Sequence, residues 1–193
     1  MLLLVAGAVC AWAPTAEAQV RSPISVQASA LYENVYGDAA QWRVDEALPA
    51  GYGAEGQIRY TPGALSFGGG VQWTTHDWTD SGGDSNLRLL GVFFEPRYVL
   101  PATDRIGPYL SARLALTKLK LKIADEEIGT ATVQTVNGGG GILFSVSPNI
   151  ALDFGATFGY TNFGDLENGG SPTGLKTGKG TNLIARVGLA IGL

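Results

Sequence analysis

The chain is short of the side chains that thiol and imidazole chemistry draws on. Its 193 residues hold one cysteine, one histidine and one methionine. The cysteine is Cys10, inside the apolar leader, so the chain after the leader has neither disulfides nor cysteine metal sites. Long hydrophobic runs are missing as well: beyond the leader no segment approaches the ~20 apolar residues of a membrane-spanning helix. Charged residues are sparse, at 16%, and the formal net charge is −4. That weakly acidic balance gives no support to nucleic-acid binding. Asp125, Glu126 and Glu127 cluster, yet they lack the spacing and the turn glycine of a calcium loop and read as solvated acids. No cofactor is implied.

The leader, MLLLVAGAVCAWAPTAEAQ, is an apolar run closed by Ala16-Glu17-Ala18, a small-x-small pattern that predicts cleavage before Gln19. It carries no Lys or Arg at its start, and Val9 is too bulky for a lipoprotein cleavage at Cys10. Residues 1–18 therefore read as a secretory signal peptide and 19–193 as one domain. Loss of Glu17 takes the charge from −4 to about −3, with 13 bases against 16 acids.

What the chain does have is glycine, 28 residues without a collagen period, and strict alternation. From Asn137 to Phe163, Ile142, Phe144 and Val146 share one face before the turn Ser147-Pro148-Asn149. Ile150, Leu152, Phe154, Ala156, Phe158 and Tyr160 share one face after it. The other face is small or polar: Asn137, Gly139, Gly141, Leu143, Ser145, then Ala151, Asp153, Gly155, Thr157 and Gly159. Period-two alternation across a short turn predicts a hairpin. A solvated face has no need to be small, whereas the inside of a narrow barrel does. The pattern predicts a transmembrane β-barrel, apolar outside and polar within.

Eight such strands follow one another. The first is near 24–35, the second near 52–60, the third near 65–76 and the fourth near 87–100. The fifth begins near Tyr109, the sixth is near 130–146, the seventh near 150–161 and the eighth near 182–193. Short turns at Pro62, Pro101 and Pro148 alternate with longer connections: 36–50, 77–86, the stretch Leu116–Ile128 and the Gly-rich 164–180. This is the asymmetry of periplasmic turns and extracellular loops. Outward aromatics gather toward the strand ends, Tyr60, Phe67 and Tyr98 on the turn side and Tyr32, Tyr52, Trp73 and Tyr160 on the loop side. Amphipathic rings do this at membrane interfaces.

The same parity places Glu33, Glu55, Glu95 and Asp153 inside, facing Arg59, Arg97, Arg113 and Arg186. The signs balance, and arginine rather than lysine suits a cramped, paired interior. The expected role is structural glue, because eight strands leave room for side chains and little else. A second charged group continues strand five: Lys118, Lys120 and Lys122 point outward, with Arg88 on the neighbouring strand, at the level of lipopolysaccharide phosphates. Leu119, Leu121 and Ile123 would point over the barrel mouth. A solvated loop tip is the alternative for these lysines, and a protruding sheet edge offered to a partner protein is another.

Phe94-Glu95-Pro96-Arg97-Tyr98, Gly107-Pro108-Tyr109-Leu110, the glycine run 138–141 and the apolar last strand, taken in order, resemble the small eight-stranded outer-membrane proteins of the OmpA and opacity-protein type. The resemblance covers Gln19 to Leu193. It implies an all-β, eight-stranded antiparallel up-and-down barrel in the outer membrane of a two-membrane bacterium, inserted by the outer-membrane assembly machinery through its C-terminal strand. Members usually end in an aromatic residue, and here the end is Leu193. The function it implies is that of a non-enzymatic surface protein whose barrel anchors four loops facing lipopolysaccharide, host or neighbouring cells. The rivals are a narrow channel gated by the Arg–acid network, a lipid A-modifying enzyme, and a soluble periplasmic barrel with its faces reversed. An enzyme of the lipid A type would need a histidine and a serine toward lipid, and parity turns His76 inward or into its loop, so no catalytic residue is assigned.

Overall fold

With one greasy and one small face, each segment must lay its apolar side against lipid or a core and satisfy its backbone sideways. The computed structural model describes residues 22–36, 50–80, 83–103, 105–123, 126–168, 171–172 and 178–193. Its strands are β1 (Ile24–Tyr36), β2 (Gly51–Tyr60), β3 (Leu65–Asp80), β4 (Gly83–Val99), β5 (Ile106–Ile123), β6 (Glu126–Ser147), β7 (Ile150–Phe163), the two-residue β8 (Glu167–Asn168) and β9 (Ser171–Pro172), and β10 (Lys179–Gly192). From β1 to β7 every strand pairs antiparallel with the next, and β10 pairs with both β7 and β1. The result is a closed eight-stranded barrel built from β1–β7 and β10.

Closure runs from Ser25↔Gly192 to Tyr36↔Thr181, so the first and last strands seal each other and leave no open edge. Burial alternates with the pleat. On β5 every second residue from Gly107 to Leu121 is buried and the residues between them face outward. Phe154 and Leu189 are 46% and 41% exposed, while Arg113 and Asp153 are 1% and 0%. These values exclude the reversed, soluble orientation.

Three expectations about connections need correction. Of the stretch 77–86, expected as a loop, 77–80 and 83–86 are ladder: β3 and β4 stay paired from Leu65↔Tyr98 to Asp80↔Gly83. The 147–149 turn is tighter than expected, with Ser147 directly opposite Ile150 and a register shift on β6 before it. Within 164–180, β8 and β9 pair with each other, and Glu167 pairs with Thr130 of β6. The expected loop over 37–49 lies outside the described residues.

A spanning strand needs about 9–11 residues. β2 has 10, whereas β3, β4, β5 and β6 have 16, 17, 18 and 22. The β3–β4 and β5–β6 hairpins therefore continue well past the apolar band on the loop side. On their inward side Leu87 and Leu89 of β4, Leu119 and Leu121 of β5, and Ala131 and Val133 of β6 pack with Val35, Phe163 and Leu166 into one buried cluster, while β3 turns the polar Thr74 and His76 inward at the same level. Leu119 and Leu121 thus do turn over the mouth, and Leu87 and Leu119 are wholly buried.

Candidate functional site

The candidate site is the polar interior, reached from the turn side toward the loop side. At its centre lies Glu95 of β4, 0% exposed. Pro96 follows it and has no N–H to give to the ladder, and the β4–β5 pairing resumes only at Arg97↔Ser111. Four guanidinium groups from four strands meet this one carboxylate. Arg186 of β10 binds it through two parallel hydrogen bonds, Nη1 to Oε2 and Nη2 to Oε1, the latter 2.9 Å. Arg97 donates through Nε to Oε1. Arg113 Nη1 donates to Oε2 at 3.2 Å and Arg59 Nη2 to Oε1 at 3.1 Å. Fork-shaped donors are what allow one carboxylate to serve so many partners.

The other two carboxylates sit around this hub. Asp153 of β7 lies 2.8 Å from Arg97 Nη2 and 3.4 Å from Arg186 Nε. It also accepts hydrogen bonds from Gln27 Nε2 at 2.7 Å and the Tyr109 hydroxyl at 2.6 Å. Glu55 of β2 accepts from Arg113 Nη2 at 2.6 Å, and Gln72 Oε1 accepts from the same nitrogen at 2.6 Å. Rings complete the lining, with the Arg113 guanidinium 3.7 Å from the centre of Phe93 and that of Arg97 4.5 Å from the centre of Tyr109.

Glycine makes room for this packing. Tyr109 lies across Gly141 and Gly155, which face each other on β6 and β7. A Cβ on either glycine would strike the Tyr109 hydroxyl. A large inward ring on a narrow barrel needs such bare backbone beside it.

Of the eight interior charges expected from parity, seven meet in this network. Glu33 does not. It sits nearer the loops in a separate polar layer, accepting from Thr74 Oγ1 and Asn182 Nδ2 at 3.0 Å each, with His76 Nε2 at 3.8 Å. His76 is inward and wholly buried. The balance expected between four acids and four arginines is therefore not local: among the described residues, four guanidiniums face three carboxylates. Parity alone did not reveal the roles of Tyr109, Gln27, Gln72 and Phe93. The available signal was the placement of Tyr109 and Gln27 on the same face as the charges.

The outward cations also take definite places. Arg88 stands directly opposite Lys120 on the β4–β5 ladder, with Leu90 opposite Lys118 and Asn86 opposite Lys122. Arg88, Lys118 and Lys120 are exposed and Lys122 half-buried. The ion pair described for the patch is the long contact of Lys120 with Glu127 at 4.0 Å, with both side chains about half exposed. Just below, Leu90, Val92, Leu114 and Leu116 carry the apolar band.

A closed antiparallel barrel with an apolar exterior and an ionic, filled interior defines the class of outer-membrane-type barrels. The chain belongs to the family described as the outer membrane protein beta-barrel domain, whose model matches residues 1–189. Among solved structures it is similar to Neisserial surface protein A, at 19% identity and a TM-score of 0.65, covering 89% of this chain and 98% of that one. It is also similar to Ail, the attachment invasion locus protein of Yersinia pestis, solved in complex with the heparin analogue sucrose octasulfate. That match has 14% identity and a TM-score of 0.54, covering 87% of this chain and 97% of that one. Comparison with curated proteins finds no match.

Proposed function

We propose that this protein is a non-enzymatic surface protein of the outer membrane, its barrel a sealed anchor, whose outward cations hold the phosphates of lipopolysaccharide. The observation that carries the reading is Arg88 directly opposite Lys120, with Lys118 and Lys122 alongside, where the apolar band ends. Like charges opposite each other on a sheet repel. Glu127, opposite Lys122 and 4.0 Å from Lys120, offsets part of that repulsion, and lipid phosphates at the membrane surface would relieve the rest. Lysine and arginine serve them as point charge and fork respectively.

Two further observations support the anchor. On the loop side the ionic interior gives way to the buried apolar cluster around Leu87 and Leu119, packed at the same level as the polar layer of Glu33, Thr74, His76 and Asn182, and this filling opposes a water-filled path. The projecting β3–β4 and β5–β6 hairpins give the loops a rigid base for contact with cell surfaces. The fold neighbour Ail was solved with a polysulfated ligand, and a polyanion is the chemical type that a cationic rim selects. The test is charge reversal of Lys118, Lys120 and Lys122 to glutamate. Lipopolysaccharide retained through purification should fall sharply while the unboiled protein keeps its folded gel mobility, and unchanged retention would retire the reading.

A further inference from the structure

The turn-side mouth of the barrel carries an unassigned feature. We infer that it binds a small anion, chloride or a compact oxyanion such as phosphate, on Arg59 and Arg97. A cavity of about 30 Å³ opens there, lined by these two arginines with Ser25, Ser66, Thr61 and Gln27 among its walls. It has room for a water-sized or slightly larger guest. Among the described residues, no Asp or Glu side chain lines it.

Three independent observations point to negative charge as the guest. Among the described residues, the network immediately above has one guanidinium more than it has carboxylates, because Glu33 is engaged in its own layer with Thr74, Asn182 and His76. Buried charge left without a counter-charge is costly, so an anion beside the arginines is strongly favoured. Next, Arg97 and Arg59 are 2% and 6% exposed, yet Arg97 Nη1 and Arg59 Nε have no hydrogen-bond partner among the described residues. Arginine is a donor-only group, so what completes it must accept.

The third observation is the arrangement of hydroxyls. Ser66 Oγ accepts from Arg59 Nη1 at 2.9 Å and from Thr61 Oγ1 at 3.0 Å. Having accepted twice, its own O–H remains to donate, so the wall adds a neutral donor to the two cations. At the rim of the cavity, away from the arginines, Ser22 Oγ donates to the Leu193 main-chain oxygen.

The test uses the refolded full barrel in detergent. Thermal unfolding is followed by loss of the unboiled gel mobility in sodium chloride, phosphate and gluconate at matched ionic strength. Melting several degrees higher in chloride or phosphate than in bulky gluconate is expected, and equal melting in all three would overturn the site. Chloride NMR line broadening by the wild-type barrel supplies the second readout. Displacement by phosphate would assign a compact oxyanion site, and persistence in phosphate would assign chloride. Ser25→Glu places a carboxylate in the cavity and should abolish both the broadening and the salt dependence; if it keeps them, the ion is elsewhere and the inference fails. Should Ser25→Glu not refold, Ser66→Ala takes its place. It removes one donor and should weaken chloride binding several-fold, and unchanged binding would count against the site.

Discussion

Arg186 on β10 and Glu95 on β4 are 91 positions apart in sequence and joined side-on by a two-bond fork in the middle of the barrel. Neither strand touches the other in the sheet. The fork therefore ties opposite walls together across the interior, which backbone ladders alone do not do.

Glu95→Gln tests that tie. The replacement keeps volume but leaves four guanidiniums facing two carboxylates, and breaking a buried pair costs about 3–5 kcal/mol. Urea unfolding in lipid vesicles should show a loss of that order, whereas Lys120→Gln, in the exposed contact with Glu127, should change stability by less than about 1 kcal/mol.

Tyr109 and Gly155 form a second coupled pair. Gly155→Ala drives a methyl into the tyrosine hydroxyl and should cost about 1–3 kcal/mol by overpacking. Tyr109→Phe removes the hydroxyl that donates to Asp153 and should itself cost about 1–3 kcal/mol. Because the same oxygen is involved in both, the double variant should be less unstable than the sum. Additive losses in a double-mutant cycle would show the contact to be irrelevant.

Depth in the bilayer should be readable by arginine scanning of the outer face. Val187, paired with Phe154 in the apolar band, should lose about 2–4 kcal/mol on replacement by arginine. Thr132, opposite Lys118, lies at the cationic rim and should lose only about 0–1 kcal/mol. Equal costs at both positions would contradict the assigned membrane level.

The filled interior, ionic at the centre and closed toward the loops by the cluster of Leu87 and Leu119 beside the Glu33 layer, predicts an electrically silent barrel. Purified protein in planar bilayers should give no unitary conductance, and Arg59→Ala or Glu95→Ala should not create one while Leu87 and Leu119 remain packed. Sustained steps from the wild type would favour a channel instead.

Leu119→Ala should cost about 2–5 kcal/mol although it lies in a hairpin beyond the membrane. The check is protease resistance of the β5–β6 hairpin in the folded protein, which should fall in the variant.

The sequence by itself determined the barrel, its strand number and which side chains face inward. Alternation has a period of two, so one correctly read face fixes all the others on that strand. It even placed Leu119 and Leu121 over the mouth. Strand length was less legible: polar residues such as those of 77–80 look like loop when water surrounds them, yet they continue the ladder because the neighbouring strand is equally long. What only the tertiary structure decided is which inward groups meet. Parity gives a side chain's face and leaves its height open, and height depends on register and strand tilt around the closed wall. For that reason Glu33 lies in a different layer from the arginines that its sign suggested it would join, and among the described residues those arginines face one carboxylate fewer than their own number.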